Sequence, residues 1–235
     1  MKMGDGMRKV LMSFTAAAVI ALAAGAPLAA PTQMMSPVLT KMEQAGQNLK
    51  TLQAGISQEK IDRTLGVKEN SAGTFFYKAA EPGNERVLLE YTSPIPETVS
   101  VVGDKVSIYQ PKLNQLFVTS RKASAGKNKS LGFLGLAYSD AAAQLREKYT
   151  MTILGEDKIN GQSATQIQLD PKDKSDGVQA IILWVDHQTW LPVQYFIQEK
   201  GTKTTITLSG MKPNVQLPDT KFEIAVPKNA QVVQG

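Results

Sequence analysis

The side chains equipped for chemistry are few and poorly spaced. His187 is the single histidine of 235 residues, and there is no cysteine. It follows "LWVD" (Leu183–Asp186) and precedes Gln188-Thr189, where a turn is expected, so it reads as a polar surface residue. Zinc sets built from thiolates and imidazoles cannot be assembled from such a composition. Gly126-Lys127 is followed by Asn128 rather than the Ser or Thr of a phosphate loop, and no strand-to-helix turn surrounds it. Asp170, Asp173 and Asp176 in "DPKDKSDG" suggest a calcium loop, but lysines and a proline interleave them and no glutamate closes the loop. A solvated turn is the better reading. No catalysis, metal or cofactor is expected.

What remains is apolar surface, whose chemistry is burial. Leu131, Phe133, Leu134, Leu136 and Tyr138 crowd into "LGFLGLAY", between a basic Ser/Gly loop (Arg121–Ser130) and a short helical pattern that begins at Ser139-Asp140 and continues the apolar side through Leu145 and Tyr149. A patch this dense is either tucked away or an interaction surface. Gly132 and Gly135 loosen it. Two readings stand: a hinged lid over a sheet, or a permanent core helix that closes a barrel.

The elements around it are mostly strands. Val38, Leu39, Met42, Ala45, Leu49 and Leu52 recur at helical spacing, predicting one amphipathic helix over Ser36–Leu52 with Ser36-Pro37 as cap and first position. The period then changes to two. Strands are predicted at Gly73–Lys78, Arg86–Tyr91, Thr98–Val102, Lys105–Tyr109 and Gln115–Thr119. They resume at Thr150–Asp157, Ser163–Leu169, Gln179–Val185, Val193–Glu199, Thr202–Leu208 and Phe222–Val226. Gly103-Asp104, Asn160-Gly161 and Lys200-Gly201 supply tight hairpin turns. The expected fold is mainly β with α: an unclosed antiparallel barrel of about eleven strands, with an N-terminal helix and a helical lid enclosing an apolar cavity.

Alternation assigns the faces. Phe75 and Tyr77 on one strand, and Val87, Leu89 and Tyr91 on the next, fall on a dry side; Phe76, Leu88 and their neighbours fall on a wet one. A barrel of about eight strands can fill itself, while a wider one leaves space for helices or a ligand. The predicted apolar site is therefore Phe75, Tyr77, Val87, Leu89, Tyr91, Leu131, Phe133, Leu134, Leu136, Tyr138 and Leu145.

Residues 1–30 read as a secretory signal peptide: Lys2, Arg8 and Lys9 precede an apolar run, and small residues end it near Ala26 or Ala30. The remainder is expected to form one domain, 31–235. Without the signal segment the formal charge falls from +5 to +3, because three basic residues and one acid (Asp5) leave with it. Such mild basicity is no nucleic-acid footprint. A soluble exported monomer held together by its core alone is expected.

The order of helix, strands, interruption and strands resembles the periplasmic lipoprotein carrier family of the Lol system. The matching stretches are "GTFFYK" (Gly73–Lys78), "EYTSP" (Glu90–Pro94), "VVGDKVSIYQPKLNQ" (Val101–Gln115), "LWVD" with "LP" (Leu191-Pro192), and "KFEIAVPKNAQVV" (Lys221–Val233). The resemblance implies a cavity that takes up the acyl chains of lipoproteins. It also implies a periplasmic route from an inner-membrane transporter to an outer-membrane acceptor. That acceptor is itself lipidated through cysteine, so a chain without cysteine resembles the carrier. A lipid-sensing or regulatory module of the same fold is the alternative. One departure stands out. Family carriers place an arginine directly after the strand lysine to hold the lid closed, whereas Lys78 is followed here by Ala79-Ala80, with Arg86 the nearest arginine. The latch is expected to pass to Arg86 or to be lost.

Overall fold

The computed structural model describes residues 31–81, 84–124, 138, 141–173 and 177–235. The expected signal segment, the Gly126-Lys127 stretch and Leu131, Phe133, Leu134 and Leu136 lie outside them. Helix α1 (Pro31–Asn48) comes first. Strands β1 (Thr51–Asp62), β2 (Val67–Lys78), β3 (Arg86–Ser93), β4 (Glu97–Val102), β5 (Lys105–Gln110) and β6 (Gln115–Ser120) follow. After α2 (Arg121–Ser124) and α3 (Ala141–Lys148) come β7 (Tyr149–Ile159), β8 (Gln162–Pro171), β9 (Val178–Asp186), β10 (Pro192–Glu199) and β11 (Thr202–Pro213). The last strand is β12 (Gln231–Gln234).

All twelve strands form one sheet in the order β12-β6-β5-β4-β3-β2-β1-β11-β10-β9-β8-β7. Pairs are antiparallel except β12, which lies parallel on β6. The ends β7 and β12 do not meet, so the barrel is unclosed. Residues of β1 to β5 and of β8 to β11 share a single buried cluster with α1 and α3, which a flat sheet could not achieve. The sheet curls around its apolar face.

Three expectations change. Strand β1 lies where the helix and a loop were predicted: α1 stops at Asn48, and a turn from Leu49 N–H to Gly46 O (3.1 Å) leads into the strand. Leu49 and Leu52 seemed to extend the helical stripe. Leu52 in fact begins an alternation, with Ala54 and Ile56 also buried. Pro37 lies inside α1 rather than at its first position. The strand expected at Phe222–Val226 is instead a 3-10 turn, Asp219–Phe222, and unpaired chain; the closing strand lies further on, at β12.

The wet face is also only partly wet. Phe76 and Leu88, which alternate outward, are buried beneath Phe222 with Val102 and Leu217 beside them. The segment after β11 crosses the outer side of β1 to β4 and covers them. Thr51 Oγ1 donates to Val215 O, Asn214 N–H donates to Thr51 O (2.7 Å), and Ser100 Oγ donates to Phe222 O.

Gly73 marks where β2 and β3 slip register, between Ala72 and Gly73. A Cβ there would lie 2.0 Å from Glu90 O and 2.7 Å from Tyr91 Cα. The close approach is backbone on backbone, so no side chain can yield. Gly73→Ala is expected to destabilise the fold by about 3 kcal/mol or more in urea denaturation. Gly46→Ala, where the new Cβ would meet nothing nearer than Tyr138 O at 3.6 Å, should instead add about 0.5–1 kcal/mol of helix stability.

Candidate functional site

The concave face is built by cross-strand pairs. Phe75 stands opposite Leu89 on β3 and Ala54 on β1; Tyr77 stands opposite Val87 and Leu52. All of these are buried. A period-two sequence on three adjacent strands in register places every such residue on one side. Tyr91, opposite Gly73, is only partly buried and donates its hydroxyl to Gln58 Oε1 (2.9 Å). Burial, with the Glu97 carboxylate as a second cause, raises its phenol pKa.

The cover over this face comes from α1, α3 and one tyrosine. Leu39, Met42 and Leu49 bring the apolar stripe of α1 and its exit turn, and Leu145 brings that of α3. Tyr138, 1% exposed, sets its ring centroid 5.8 Å from Phe75 and 5.5 Å from Tyr77. Its hydroxyl donates to Pro192 O (2.8 Å), giving the polar end of a buried aromatic its partner. Burial pushes the Tyr138 and Tyr195 phenols well above their ordinary value, so both stay neutral. Of the residues predicted in the apolar plug and helix, Tyr138 and Leu145 thus sit at the concave face with the five predicted strand residues.

Several lining residues escaped the sequence-based site. Leu52, Ala54 and Ile56 belong to the unrecognised β1. Leu183, Tyr195, Ile206 and Leu208 line the same cluster from β9, β10 and β11. Alternation along "TLQAGIS" and "TTITLS" was the available signal.

Arg86 is placed away from the concave face. It alternates to the outer face, where Arg86 Nη2 lies 3.3 Å from Asp219 Oδ2 and Lys78 Nζ lies 2.7 Å from Asp219 Oδ1. Lys78 also donates to Leu217 O (2.9 Å). Both cations therefore fasten the outer segment 214–222, with Lys221 joined to Glu90 (2.9 Å) and placed 4.2 Å from the Phe76 ring centroid. Ala79 donates its N–H to Lys50 O (2.8 Å) and offers no side-chain donor. Among the described residues, the inner cover is held by apolar packing, the Tyr138 hydroxyl and Lys41 over the Trp190 ring.

His187 is more engaged than a free surface residue. Its Nε2 lies 2.8 Å from Glu156 Oε2 and 2.8 Å from Thr165 Oγ1, and its ring stacks on Trp190 at 5.6 Å. Lys41 of α1 stands 4.1 Å from the Trp190 centroid, so this turn also fixes the helix. Asp186 Oδ1 shapes the turn by accepting from Gln188 N–H (3.0 Å) and Thr189 N–H (2.7 Å). Among the described residues, no three or more His, Asp and Glu side chains gather as a metal site would require.

Comparison with known proteins agrees with this architecture. The family model of the outer membrane lipoprotein carrier protein LolA matches residues 47–225. An outer-membrane lipoprotein carrier protein of Dechloromonas aromatica (strain RCB) is 28% identical over 186 residues, covering 79% of this chain and 82% of that protein. Its counterpart in Cupriavidus pinatubonensis (strain JMP 134 / LMG 1197) is 26% identical, covering 97% of this chain and 100% of that protein. Among solved structures, an uncharacterized conserved protein of Thermus thermophilus superposes with a TM-score of 0.55 at 15% identity, over 86% of this chain and 100% of that one. MucB gives 0.54 at 17% identity, over 86% of this chain and 66% of its own.

Two measurements separate the inner cover from the outer strap. Tyr138→Phe keeps the ring and removes the bond to Pro192 O, so unfolding free energy should fall by about 1 kcal/mol. Tyr138→Ala should cost about 3–5 kcal/mol. On the outside, the hydrogen bond from Lys78, reinforced by Arg86, holds the Asp219 carboxyl below its ordinary range. A depressed carboxyl contributes stability above its unfolded pKa and loses it as pH falls through the folded value. Protection of amides 214–222, corrected for intrinsic exchange, should therefore drop in acid. Asp219→Asn should show the drop already at neutral pH and no further acid step.

Proposed function

The chain belongs to the LolA family of outer membrane lipoprotein carriers, and from that membership we propose that it is a periplasmic shuttle for acylated proteins. The observation that carries the reading is the Tyr138 ring against Phe75 and Tyr77. A side chain of the cover, tied at its hydroxyl to Pro192 O, occupies the apolar face where an acyl chain would lie. Displacing it would open a cavity lined by Phe75, Tyr77, Val87, Leu89 and Tyr91, beside Leu145 of α3.

The energetics favour exchange. An acyl chain of about sixteen carbons gains roughly 10 kcal/mol on full burial, which exceeds the ~3–5 kcal/mol that Tyr138 contributes by packing. Transport needs no bond making, so the protein acts as a non-enzymatic monomer without cofactor. An inner-membrane transporter would load it and an outer-membrane acceptor would unload it. No helix among the described residues is long and apolar enough to cross a membrane. A lipid-sensing module is the second reading. The coverage of the two carriers, 82% and 100% of their own lengths, favours the carrier.

Mass spectrometry of the protein purified from its native envelope is expected to find acylated protein bound to it. Recovery of the protein with neither acylated protein nor lipid would overturn the proposal. In solution, an apolar acyl dye should bind Tyr138→Ala roughly tenfold more tightly than wild type, about 1.4 kcal/mol, because the ring no longer competes. Leu89→Asn, which puts an unpaired amide in the face, should weaken the same dye.

A further inference from the structure

Single exposed aliphatic side chains are ordinary on a protein surface. Their placement here is not. Among the described residues, the large hydrophobics left exposed are Leu65, Val67, Ile95, Leu113, Leu154 and Val232. Consecutive antiparallel pairing puts the β1–β2, β3–β4 and β5–β6 turns at one end of the sheet. Leu65, Ile95 and Leu113 lie one in each of those turns, at 74%, 58% and 66% exposure, and Val67 opens β2 beside the first. Turns two strands apart are separated by roughly 10 Å, so these side chains are separate prongs rather than one patch. The β1–β2 turn projects furthest. Ala72 pairs with Ser93, the last residue of β3, which leaves residues 67–71 running beyond it.

That projecting turn is held in one shape. Asp62 Oδ1 accepts the N–H groups of Thr64 (2.8 Å) and Leu65 (2.9 Å), and Arg63 N–H donates to Gly201 O (2.7 Å). Gly66 supplies the left-handed residue, φ 68°. Charge around the rim is uneven in what it engages. Glu59 pairs with Lys68 (2.6 Å), Asp62 caps the turn, and Glu97 accepts from Gln110 (2.9 Å). Lys60, Arg63, Lys112 and Lys200 are exposed there, with no ion pair among the described residues, and Glu69 is the nearby exposed carboxylate without one.

We propose that this rim is a contact for an anionic lipid surface, with Leu65 leading and Ile95 and Leu113 beside it. Separate aliphatic prongs would each need a matching pocket on a protein partner. The boundary between headgroups and acyl chains admits them one by one. Lys and Arg next to the prongs can lay their stems on the apolar zone while their heads meet phosphates. The surface lies outside the concave face, so it stands apart from the acyl-chain reading.

Flotation of the purified protein with vesicles tests it. Binding is expected to phosphatidylethanolamine–phosphatidylglycerol vesicles and to be much weaker on phosphatidylcholine. The triple variant Leu65→Ser, Ile95→Ser, Leu113→Ser should lower partitioning roughly tenfold or more, and Lys60→Gln with Arg63→Gln should erase the preference for the anionic vesicles. Leu154→Ser, at the β7 edge, should change nothing. All variants should keep the wild-type melting temperature and acyl-dye binding, which separates this test from that of the interior. Absence of vesicle binding by wild type, equal binding to both vesicle types, or unchanged binding by the triple variant would each overturn the proposal.

Discussion

A broad antiparallel sheet that curls without closing has a concave apolar face, and everything else in this protein answers to the need to cover it. Each large aliphatic or aromatic side chain kept from water there contributes about 1.5–3 kcal/mol. No strand pairing can supply the cover, because β7 and β12 never meet. It comes instead from α1, α3 and Tyr138, which join residues of β1 to β5 and β8 to β11 in one cluster. With no cysteine to brace the chain, this cluster is the main source of stability.

The outer side is secured by different means. Phe222 seals the small cluster of Phe76 and Leu88, while Asp219, Lys78, Arg86, Lys221 and Glu90 hold the segment by half-exposed ion pairs. Such pairs contribute little individually. Burial of Phe222 and the backbone bonds to Thr51 and Ser100 carry more of the attachment. The two sides are thus built with opposite tendencies. The strap is tied at many points along its length, whereas Tyr138 adds the bond from its hydroxyl to Pro192 O to its ring contacts.

That asymmetry suits a carrier. A cover held chiefly by apolar contact can be replaced by another apolar surface at small net cost, because hydrophobic contact is not directional. A latch made of a guanidinium fork would demand its own acceptors in return. Alanine at positions 79 and 80 offers the cover no side-chain donor, and the described contacts of the cover with the concave face are mainly apolar.

Local pattern alone determined much of this protein. Alternation in "GTFFYK" and "ERVLLEY" assigned Phe75, Tyr77, Val87 and Leu89 to the dry face correctly, and turn residues such as Asn160-Gly161 marked the hairpins. The unclosed mainly-β fold and the family resemblance also followed from order and spacing. Sequence misled where two periods overlap. Leu49 and Leu52 satisfy the helical stripe of α1, while Leu52, Ala54 and Ile56 begin β1, and only pairing with β2 and β11 decides between them. It misled again at Phe76 and Leu88, whose outward alternation is true but whose burial depends on Phe222, well over a hundred residues away. The direction of Arg86 followed from alternation, yet its partner Asp219 did not, since no local rule links β3 to a segment beyond β11. Period and turn chemistry act over a few residues, so they set faces and hairpins; which surface covers a face is a long-range contact that only the folded chain decides.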